Sequence, residues 1–524
     1  MTEGNQSSLG RWTIAALAGF VFLLLFARSM ARELDIDEQV FIASAILVER
    51  DGLLPYEDFP YYHMPTQVYL YALLTHYSPY KLLAIRTLTT VCGTATLLLL
   101  FGAGWKLFDG RRASERWLLA GSPVLILFCC RFFTYTSGLV WNHDTSVLCC
   151  LGAFFLFARG FRLDRLREIA AAGLLLGLAT GCRLTLVISF VPFLLVILFA
   201  PGPLTVRRRL AGLTLAALAA LVALAPALIL WARQPARFLW GHLEYQGLFA
   251  QADGIRTSFG HNLLIKLKKS VVRFSTDPGN LLLLVAFVAA VVQLVRRRAC
   301  WRGTDRAPAV WLLGGLLVAL LAGVMAPTPQ QYQYNYVLLP FMILVVYQAQ
   351  VLPEVKGDVL GRWRWAFGTA AVVLAAVSLP RWYWTVINLP FPERWFTVQE
   401  HRRGEWLRQH APPGRLVLTT TPITPLEGGL SIYPEHAIGP FSLYVSPGQT
   451  HEERRRVGTV GIDELPAILD ERPPDLIYCS PNTGYVEVFA AYADAHGYQY
   501  LEGFDPGYRV WAAPSASRFA AEKQ

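Results

Sequence analysis

The stretch RELDIDEQVFIASAILVERDGLLPYEDFPYYHMPTQVYLYALL, residues 32–74, directly follows the first hydrophobic segment of the chain. It places Asp35, Asp37 and Glu38 within four residues, and carboxylates this close need water, cations or hydrogen bonds to stay ionised. Apolar residues spaced through 38–48 predict a helix lying in the plane of a membrane surface, with acidic residues in its first turn, where the helix dipole favours them. An ordinary solvated helix start with acidic capping explains the same pattern equally well.

The composition is that of a membrane protein. Of the 524 residues, 54% are hydrophobic and 16% charged, and the mean hydropathy is +0.38, whereas soluble chains are about 25% charged. A membrane-spanning helix needs about 20 largely apolar residues. We expect eleven spans, at residues 12–30, 81–105, 117–133, 143–158, 169–182, 184–200, 210–232, 280–295, 308–326, 335–351 and 365–381.

The charge of the short loops decides between two predicted topologies. In the alternative to eleven spans, the fifth and sixth spans form one kinked helix, and every later loop then lies on the opposite side of the membrane. Lys and Arg concentrate in five short loops, whereas the intervening loops 134–142 and 327–334 hold neither residue. Loops rich in Lys and Arg face the cytoplasm, and they alternate correctly only with eleven spans, the N-terminus inside and the C-terminus outside. The net charge of +10 therefore follows from topology, and it gives no support to nucleic-acid binding.

The composition changes to mixed character from residue 381 onward. Strand patterns at 416–420 and 475–479, and a final pair near 498–504 and 508–512, alternate with helical patterns. We therefore predict an α-helical polytopic membrane domain followed by a small extracytoplasmic α/β domain. The membrane domain covers residues 1–380, with outer loops at 32–80 and 233–279, and the α/β domain covers residues 381–524.

Three charged residues lie where predicted spans begin or end. Asp144, preceded by His143, opens the fourth span, where a charge costs about 2.5–3.5 kcal/mol at the membrane centre and less at its edge. Capping of the helix is the alternative to a functional role. Arg183, at the outer end of the fifth–sixth hairpin, and Arg131, at the end of the third span, together suit an anionic phosphate. Snorkelling of Arg183 to the interface is an equally good explanation.

Aromatic side chains gather at the same predicted outer side. A belt of Tyr and His residues runs through 61–80 and includes Tyr62 and His63. Tyr332 and Tyr334, between the ninth and tenth spans, offer hydroxyl groups and ring faces suited to a sugar or a phosphate. An interfacial aromatic girdle is the commoner cause of such a belt, and a sugar-binding platform is the functional alternative.

The order of motifs in the first outer loop resembles that of the GT-C superfamily of membrane glycosyltransferases. An Asp-Glu pair at 37–38 and an amphipathic helix are followed by Gly52, Tyr56, Asp58 and Phe59, and then by His63, Met64 and Pro65. The superfamily includes protein O-mannosyltransferases, aminoarabinose transferases and lipopolysaccharide-core transferases. The resemblance is clearest over residues 1–200. It implies an enzyme of the bacterial cytoplasmic membrane that uses a polyprenyl-phosphate sugar donor.

The resemblance assigns roles to the acidic residues. Asp37 is the expected general base, with Glu38 or Asp35 in support. Asp144 matches a second acidic residue of the family and is expected to orient the acceptor or a metal, next to His143.

The resemblance does not decide which group neutralises the negative charge of the leaving phosphate. Arg131, Arg183 or a divalent metal could supply it, and a basic residue is common in relatives at the place of Arg183. His63 stands where relatives usually carry a basic or acidic residue with two prolines. Whether Asp37, Asp144 and His63 hold a metal therefore stays open. The remaining residues expected to bind substrate are Tyr62, His143, Tyr332 and Tyr334.

The predicted function is inverting transfer of a sugar from a polyprenyl-phosphate donor to an extracytoplasmic lipid, glycan or protein. A transporter or flippase of lipid-linked sugars is one alternative, but it should show internal repeats, and the charges here lie at the outer ends of spans. A non-catalytic cell-envelope assembly protein is another, and it would tolerate loss of Asp37. Membrane lipids are expected partners, and the sequence leaves the oligomeric state open.

Overall fold

The computed structural model describes residues 3–255, 259–352, 359–411, 414–481 and 484–514, and it is largely helical. The helices up to residue 388 are α1 (Glu3–Ala31), α2 (Glu38–Asp51), α3 (Thr66–Tyr77), α4 (Lys81–Leu107), α5 (Ala113–Cys129), α6 (Arg131–Thr136), α7 (His143–Arg162), α8 (Leu166–Cys182), α9 (Phe190–Phe199), α10 (Val206–Arg233), α11 (Pro235–Leu239), α12 (Tyr245–Ala252), α13 (Phe259–Ser275), α14 (Pro278–Arg296), α15 (Arg298–Trp301), α16 (Ala307–Met325), α17 (Leu339–Gln350), α18 (Val359–Ser378) and α19 (Pro380–Asn388).

Six of the described helices, α1, α4, α7, α10, α14 and α16, are long and apolar enough to cross a membrane. The pair α18 and α19 passes the same test together but is bent by 53°, and it would make a seventh span. Each of the eleven predicted spans coincides with a helix or a helix pair, but α5, α8, α9 and α17 are shorter than a full span. The protein is thus a multi-pass membrane protein, while the number eleven and the orientation of the termini stay predictions.

Helix α2 differs in its surroundings from the expected interfacial helix. Its residues from Glu38 to Leu47 are all buried. The helix packs against α3 on one side and against a short helix of the C-terminal part, Ile423–Glu427, on the other. Its apolar residues share one core with Ile438 and Phe441. The sequence pattern predicted that one face of α2 is exposed to solvent. It could not show that this face is buried, because the residues that cover it come from a segment almost 400 positions away.

A buried ion pair joins α2 to the membrane helices. Arg86 of α4 donates from Nε to one carboxylate oxygen of Glu38 at 3.0 Å and from Nη2 to the other at 2.6 Å, and neither side chain is exposed. The same guanidinium donates to the carbonyl oxygens of Ser29, Arg32 and Glu33 at 2.7, 2.7 and 3.0 Å. Arg86 thereby satisfies carbonyls that the end of α1 leaves without helical partners.

Glu38 also fixes the loop before α7. Its carboxylate accepts the backbone N–H of Val140 at 2.8 Å and that of Asp35 at 2.9 Å. A buried carboxylate with this many donors has its charge and its lone pairs satisfied. The pair of Arg86 and Glu38 consequently sets the positions of α1, α2, α4 and the loop before α7 relative to one another.

The C-terminal part is built on a five-stranded sheet. Its strands are β1 (Leu416–Leu418), β2 (Ser431–Ile432), β3 (Leu476–Cys479), β4 (Gln499–Tyr500) and β5 (Arg509–Ala512), in the order β2-β1-β3-β5-β4. The pairs β2-β1 and β1-β3 are parallel, and β3-β5 and β5-β4 are antiparallel. The sequence indicated four of these strands, but it missed β2, which has only two residues.

Short helices surround this sheet: α20 (Phe396–His410), α21 (Ile423–Glu427), α22 (Phe441–Val445), α23 (His451–Val457), α24 (Leu465–Glu471) and α25 (Val486–Ala495). Glu427, at the end of α21, accepts the backbone N–H groups of Lys81 and Leu82 at 3.2 and 2.6 Å. The carboxylate therefore caps the start of α4, where free N–H groups and the helix dipole favour a negative charge. The domain boundary at residue 381 and the extracytoplasmic placement of this part stay predictions.

We expect Arg86→Met to destabilise the protein strongly, because it leaves the Glu38 carboxylate buried without its cation. Removal of one partner of a buried ion pair costs about 3–5 kcal/mol. Thermal unfolding of the purified protein in lipid nanodiscs measures the effect. Arg415→Met is the matched control, since it removes an ion pair with Asp475 whose arginine is 54% exposed, and we expect it to cost at most about 1 kcal/mol. Equal stability of the two variants would contradict the structural role of Arg86.

Candidate functional site

A cavity of about 510 Å³ lies at the end of the helices where the predicted outer loops converge. Its wall includes residues from four of these loops, 32–80, 134–142, 233–279 and 327–334, together with the break between α8 and α9 and the end of α16. The structure thus brings these four segments together at one place, whereas their outer orientation stays a prediction.

Asp37 is the carboxylate that faces this cavity. Its backbone N–H donates to Oδ1 of Asp35 at 3.1 Å, and Nε2 of Gln333 donates to its Oδ2 at 3.4 Å. Burial, together with the negative charges of Asp35 and Glu38, raises the pKa of Asp37 to about 7. The group is thus poised to exchange a proton near neutral pH, as a general base must.

Aromatic rings form one wall beside Asp37. Tyr62 stacks on Tyr245 with ring centroids 3.9 Å apart, and His63 stacks on Phe41 at 4.7 Å. Burial, followed by the positive charges that His242 and Arg183 can bring, lowers the pKa of His63 to about 3. The imidazole is therefore neutral at physiological pH and offers hydrogen-bonding and stacking, without a charge.

Arg183 supplies positive charge to the same cavity. Its Nη1 donates to Nε2 of His143 at 2.6 Å, its Nε donates to Thr185 at 3.1 Å, and its guanidinium carbon lies 4.6 Å from the ring centroid of Tyr334. Among the described residues no carboxylate pairs with Arg183. A buried cation held only by neutral groups is available to an anionic ligand.

Two of the three clustered carboxylates lie outside the cavity wall. Glu38 is engaged by Arg86 and by two backbone N–H groups, so the structure gives it a positioning role next to Asp37. Asp35 is half-buried and accepts the N–H of Asp37. The spacing in the sequence could not distinguish the three carboxylates, because it does not show which of them forms the ion pair with Arg86.

Asp144 is also away from the cavity, contrary to its expected role in binding substrate or metal. It is 1% exposed, and it accepts the hydroxyl of Tyr336 and the N–H of Gly138, both at 2.8 Å. Those bonds tie the loop before α7 to the segment before α17. The structure therefore favours the alternative explanation, in which Asp144 has a structural role at the start of its helix.

Arg131 and Tyr332 are likewise not brought to the cavity. The side chain of Arg131 is exposed, and its backbone N–H donates to Asp277 at 3.4 Å. Tyr332 packs against the ring of Phe132, 4.6 Å between centroids. The expectation that Arg131 joins Arg183 at a phosphate is therefore not met, since short helix α6 directs Arg131 elsewhere.

Sequence reasoning missed several residues of the cavity wall. Gln333 contacts Asp37 and lies in the polar aromatic run that the sequence singled out, where alternation with Tyr332 and Tyr334 was the available signal. His242 lies in a π-helical turn, Trp240–Glu244, and no sequence pattern predicts such a turn. The neighbouring Gly241 is needed there, because a Cβ atom would come within 2.3 Å of the carbonyl oxygen of Tyr61.

The residues present do not fit a metal centre. Of the three candidate ligands, Asp37 and His63 face the cavity, but the carboxylate of Asp144 accepts hydrogen bonds from Tyr336 and Gly138. Within the described part of the chain, no group of three or more His, Cys, Asp or Glu side chains is arranged to hold a metal ion. The charge of Arg183 is the alternative means of neutralising an anion here.

The fold is similar to that of solved membrane proteins. The crystal structure of ArnT from Cupriavidus metallidurans bound to undecaprenyl phosphate has a TM-score of 0.59 at 13% sequence identity, with 98% of this chain and 99% of that chain covered. The apo structure of the same ArnT has a TM-score of 0.62 at 12% identity, covering 97% and 99% of the two chains. No protein-family model matches the chain, and no curated protein matches it in sequence.

The chain thus has a fold similar to that of ArnT, and this likeness, which is one of fold alone, supports the resemblance found in its first outer loop. The match extends over nearly all of both chains, and it therefore includes the part that follows the membrane helices. At this level of identity the likeness establishes the fold.

We expect Asp37→Asn to stabilise the protein at pH 8 and to have little effect at pH 4. The pKa of Asp37 in the folded protein is about 7, above its ordinary value of 3.8, so folding favours the protonated form. The stability that this provides at low pH is lost between about pH 4 and pH 7, and the asparagine avoids the loss. Thermal unfolding of both proteins across pH 4–8 measures the difference, which is on the order of 4 kcal/mol at pH 8. A difference that does not change with pH would contradict the raised pKa.

Proposed function

We propose that the protein is an inverting glycosyltransferase that moves a sugar from a polyprenyl-phosphate donor to an extracytoplasmic acceptor. The observation that carries the proposal is that one cavity contains a carboxylate with a pKa near 7, Asp37, and a buried cation held by neutral groups, Arg183. A glycosyl transfer from a phosphate requires both, a base for the nucleophile and a positive charge for the leaving group.

The donor phosphate binds at Arg183. The guanidinium has donors to spare beyond its bonds to His143 and Thr185, and charge-assisted bonds to phosphate are among the strongest that a side chain makes. The cavity wall next to Arg183 is apolar and consists of Val187, Ile188 and Gly323. Val187 is 50% exposed and Ile188 is 36% exposed. An isoprenoid chain leaves the cavity along this surface towards the lipid. The undecaprenyl phosphate bound to the ArnT of similar fold supports this class of ligand.

The transferred sugar lies between the cation and the base. Tyr62, His63 and Gln333 border this space and offer ring faces, neutral hydrogen-bonding groups and an amide. The acceptor hydroxyl attacks the anomeric carbon from the face opposite the phosphate while Asp37 takes its proton. The bond from the anomeric carbon to the phosphate oxygen breaks, and its electron pair leaves with the phosphate, facing Arg183. One displacement inverts the anomeric centre.

Asp37→Asn tests the proposed base. We expect sugar transfer to fall by about 10²–10⁴-fold, the usual contribution of general-base catalysis. The assay offers a panel of radiolabelled polyprenyl-phosphate sugars to the protein in membranes, with native membrane lipids as acceptors. Asp51→Asn is the matched control, because Asp51 is exposed at the end of α2 and does not line the cavity. Full activity of Asp37→Asn with a donor that the wild type consumes would refute the assignment.

Arg183→Met tests the phosphate site without any need for turnover. A hydrogen bond to a charged group contributes about 1.5–3 kcal/mol, so we expect the affinity for undecaprenyl phosphate to fall by roughly 10–100-fold. Thermal-shift titration with undecaprenyl phosphate measures this, and undecaprenol, which lacks the phosphate, should bind equally to variant and wild type.

Arg131→Met is the control for this titration, since Arg131 is the other predicted phosphate ligand but lies outside the cavity. We expect wild-type affinity in Arg131→Met. A loss of affinity there, with none in Arg183→Met, would move the phosphate site to Arg131.

A further inference from the structure

A second cavity, of about 490 Å³, lies on the other side of the acidic loop. One wall is the segment 33–39, and the facing wall is formed by α20 and by residues that follow β1 and β3 and precede β5. The cavity thus lies at the carboxyl ends of the parallel strands, the edge at which α/β sheets usually bind ligands. Its volume is within the range of about 300–1,000 Å³ typical of small-ligand sites.

Gln39 of α2 is aimed into this cavity with an unmet hydrogen-bonding group. Its side chain is 6% exposed, it lines the cavity, and its Oε1 has no hydrogen-bond partner within the described part of the chain. A buried acceptor without a partner costs about 1–3 kcal/mol. A ligand with a hydroxyl or N–H group in the cavity would supply the missing donor.

The charges of the cavity exclude an anionic ligand. Arg403 is its only cation among the described lining residues, and it is already held by Glu400 at 2.9 Å and by Asp505 at 2.6 Å. Glu33 adds a further carboxylate to the wall. A phosphate would therefore meet a net negative surface, in contrast to the environment of Arg183 in the first cavity.

The remaining wall suits a ligand rich in hydroxyl groups. The amide of Gln399 offers both donors and an acceptor, and the hydroxyls of Thr421 and Ser480, which share a hydrogen bond of 3.0 Å, line the same wall. Phe396 and Tyr508 add ring surfaces to the wall, and the guanidinium of Arg403 lies over one face of each ring, 5.3 and 4.9 Å from the centroids. A sugar has this double character, because its C–H faces pack on aromatic rings while its hydroxyls bond to amides and carboxylates.

We propose that the second cavity binds a neutral carbohydrate, the sugar part of the acceptor. Asp37 lines the first cavity, and its neighbours Ile36 and Gln39 line the second, so only the loop backbone separates the two. The acceptor role requires that a hydroxyl of the bound sugar extends past this loop to Asp37, whose carboxylate lines the first cavity and not the second. The acceptor role rests on the proposed function, whereas the binding of a neutral sugar does not.

Saturation-transfer NMR on the full chain in nanodiscs tests the binding. The probes are maltose, lactose, cellobiose and xylobiose, with inorganic phosphate as the anionic contrast. Gln399→Trp fills the cavity from a half-buried position on α20, and Gln399→Ala is the matched variant that leaves it open. We expect at least one disaccharide to bind the wild type, to bind Gln399→Ala more weakly because the amide is missing, and to lose binding in Gln399→Trp because the ring fills the cavity. Binding of no disaccharide, equal binding in Gln399→Trp, or displacement of the sugar by phosphate would overturn the proposal.

Two reactions of the same variants test the acceptor role. Hydrolysis of the lipid-linked donor by water needs only the first cavity, and transfer to native membrane lipids needs both. In Gln399→Trp we expect hydrolysis within two-fold of wild type and transfer reduced at least ten-fold. Unchanged transfer would overturn the acceptor role, as would an equal fall of both reactions. Absence of both reactions in the wild type would instead count against the proposed function, and sugar binding in the second cavity would then be decided by the NMR experiment alone.

Discussion

The buried ion pair of Arg86 and Glu38 is the interaction on which the rest of the structure depends. Each partner alone would be a severe defect, because an unpaired charge in a water-excluded interior costs several kcal/mol. Together they hold the end of α1, the start of α2, the first turns of α4 and the loop before α7. Asp37 is the residue immediately before Glu38, so its position in the cavity follows from the ion pair.

The C-terminal part completes this arrangement from the other side. Its core is continuous with that of α2, and Glu427 caps α4 one turn before Arg86. The ring of His401 shares a hydrogen bond of 3.0 Å with Glu427 and packs on Tyr80 with centroids 4.1 Å apart, which adds to the same contact. The acidic loop is therefore enclosed between two parts of the chain, and each of its two sides lines a cavity of different chemistry.

The electrostatic contrast between the two cavities separates the proposed ligands. The first contains a cation held by neutral groups and has an apolar surface beside it, which matches a lipid phosphate. The second contains a cation neutralised by two carboxylates and a wall of amides and hydroxyls, which matches a neutral sugar. In this proposal the donor and the acceptor bind on the two sides of the acidic loop that carries Asp37.

The sequence by itself predicted the polytopic helical class, the GT-C resemblance, the loops that meet at the first cavity and four of the five strands. It also singled out Asp37, Arg183, His63 and Tyr62, which the structure places in the wall of one cavity. Those features depend on hydrophobic length, loop charge and local motif order, which are readable along the chain. Only the tertiary structure decided that Glu38 and Asp144 are taken by Arg86 and Tyr336, and that Arg131 and Tyr332 lie elsewhere. The partners of a buried charge come from positions 48 and 192 residues away, and spacing within a motif carries no information about contacts at that distance.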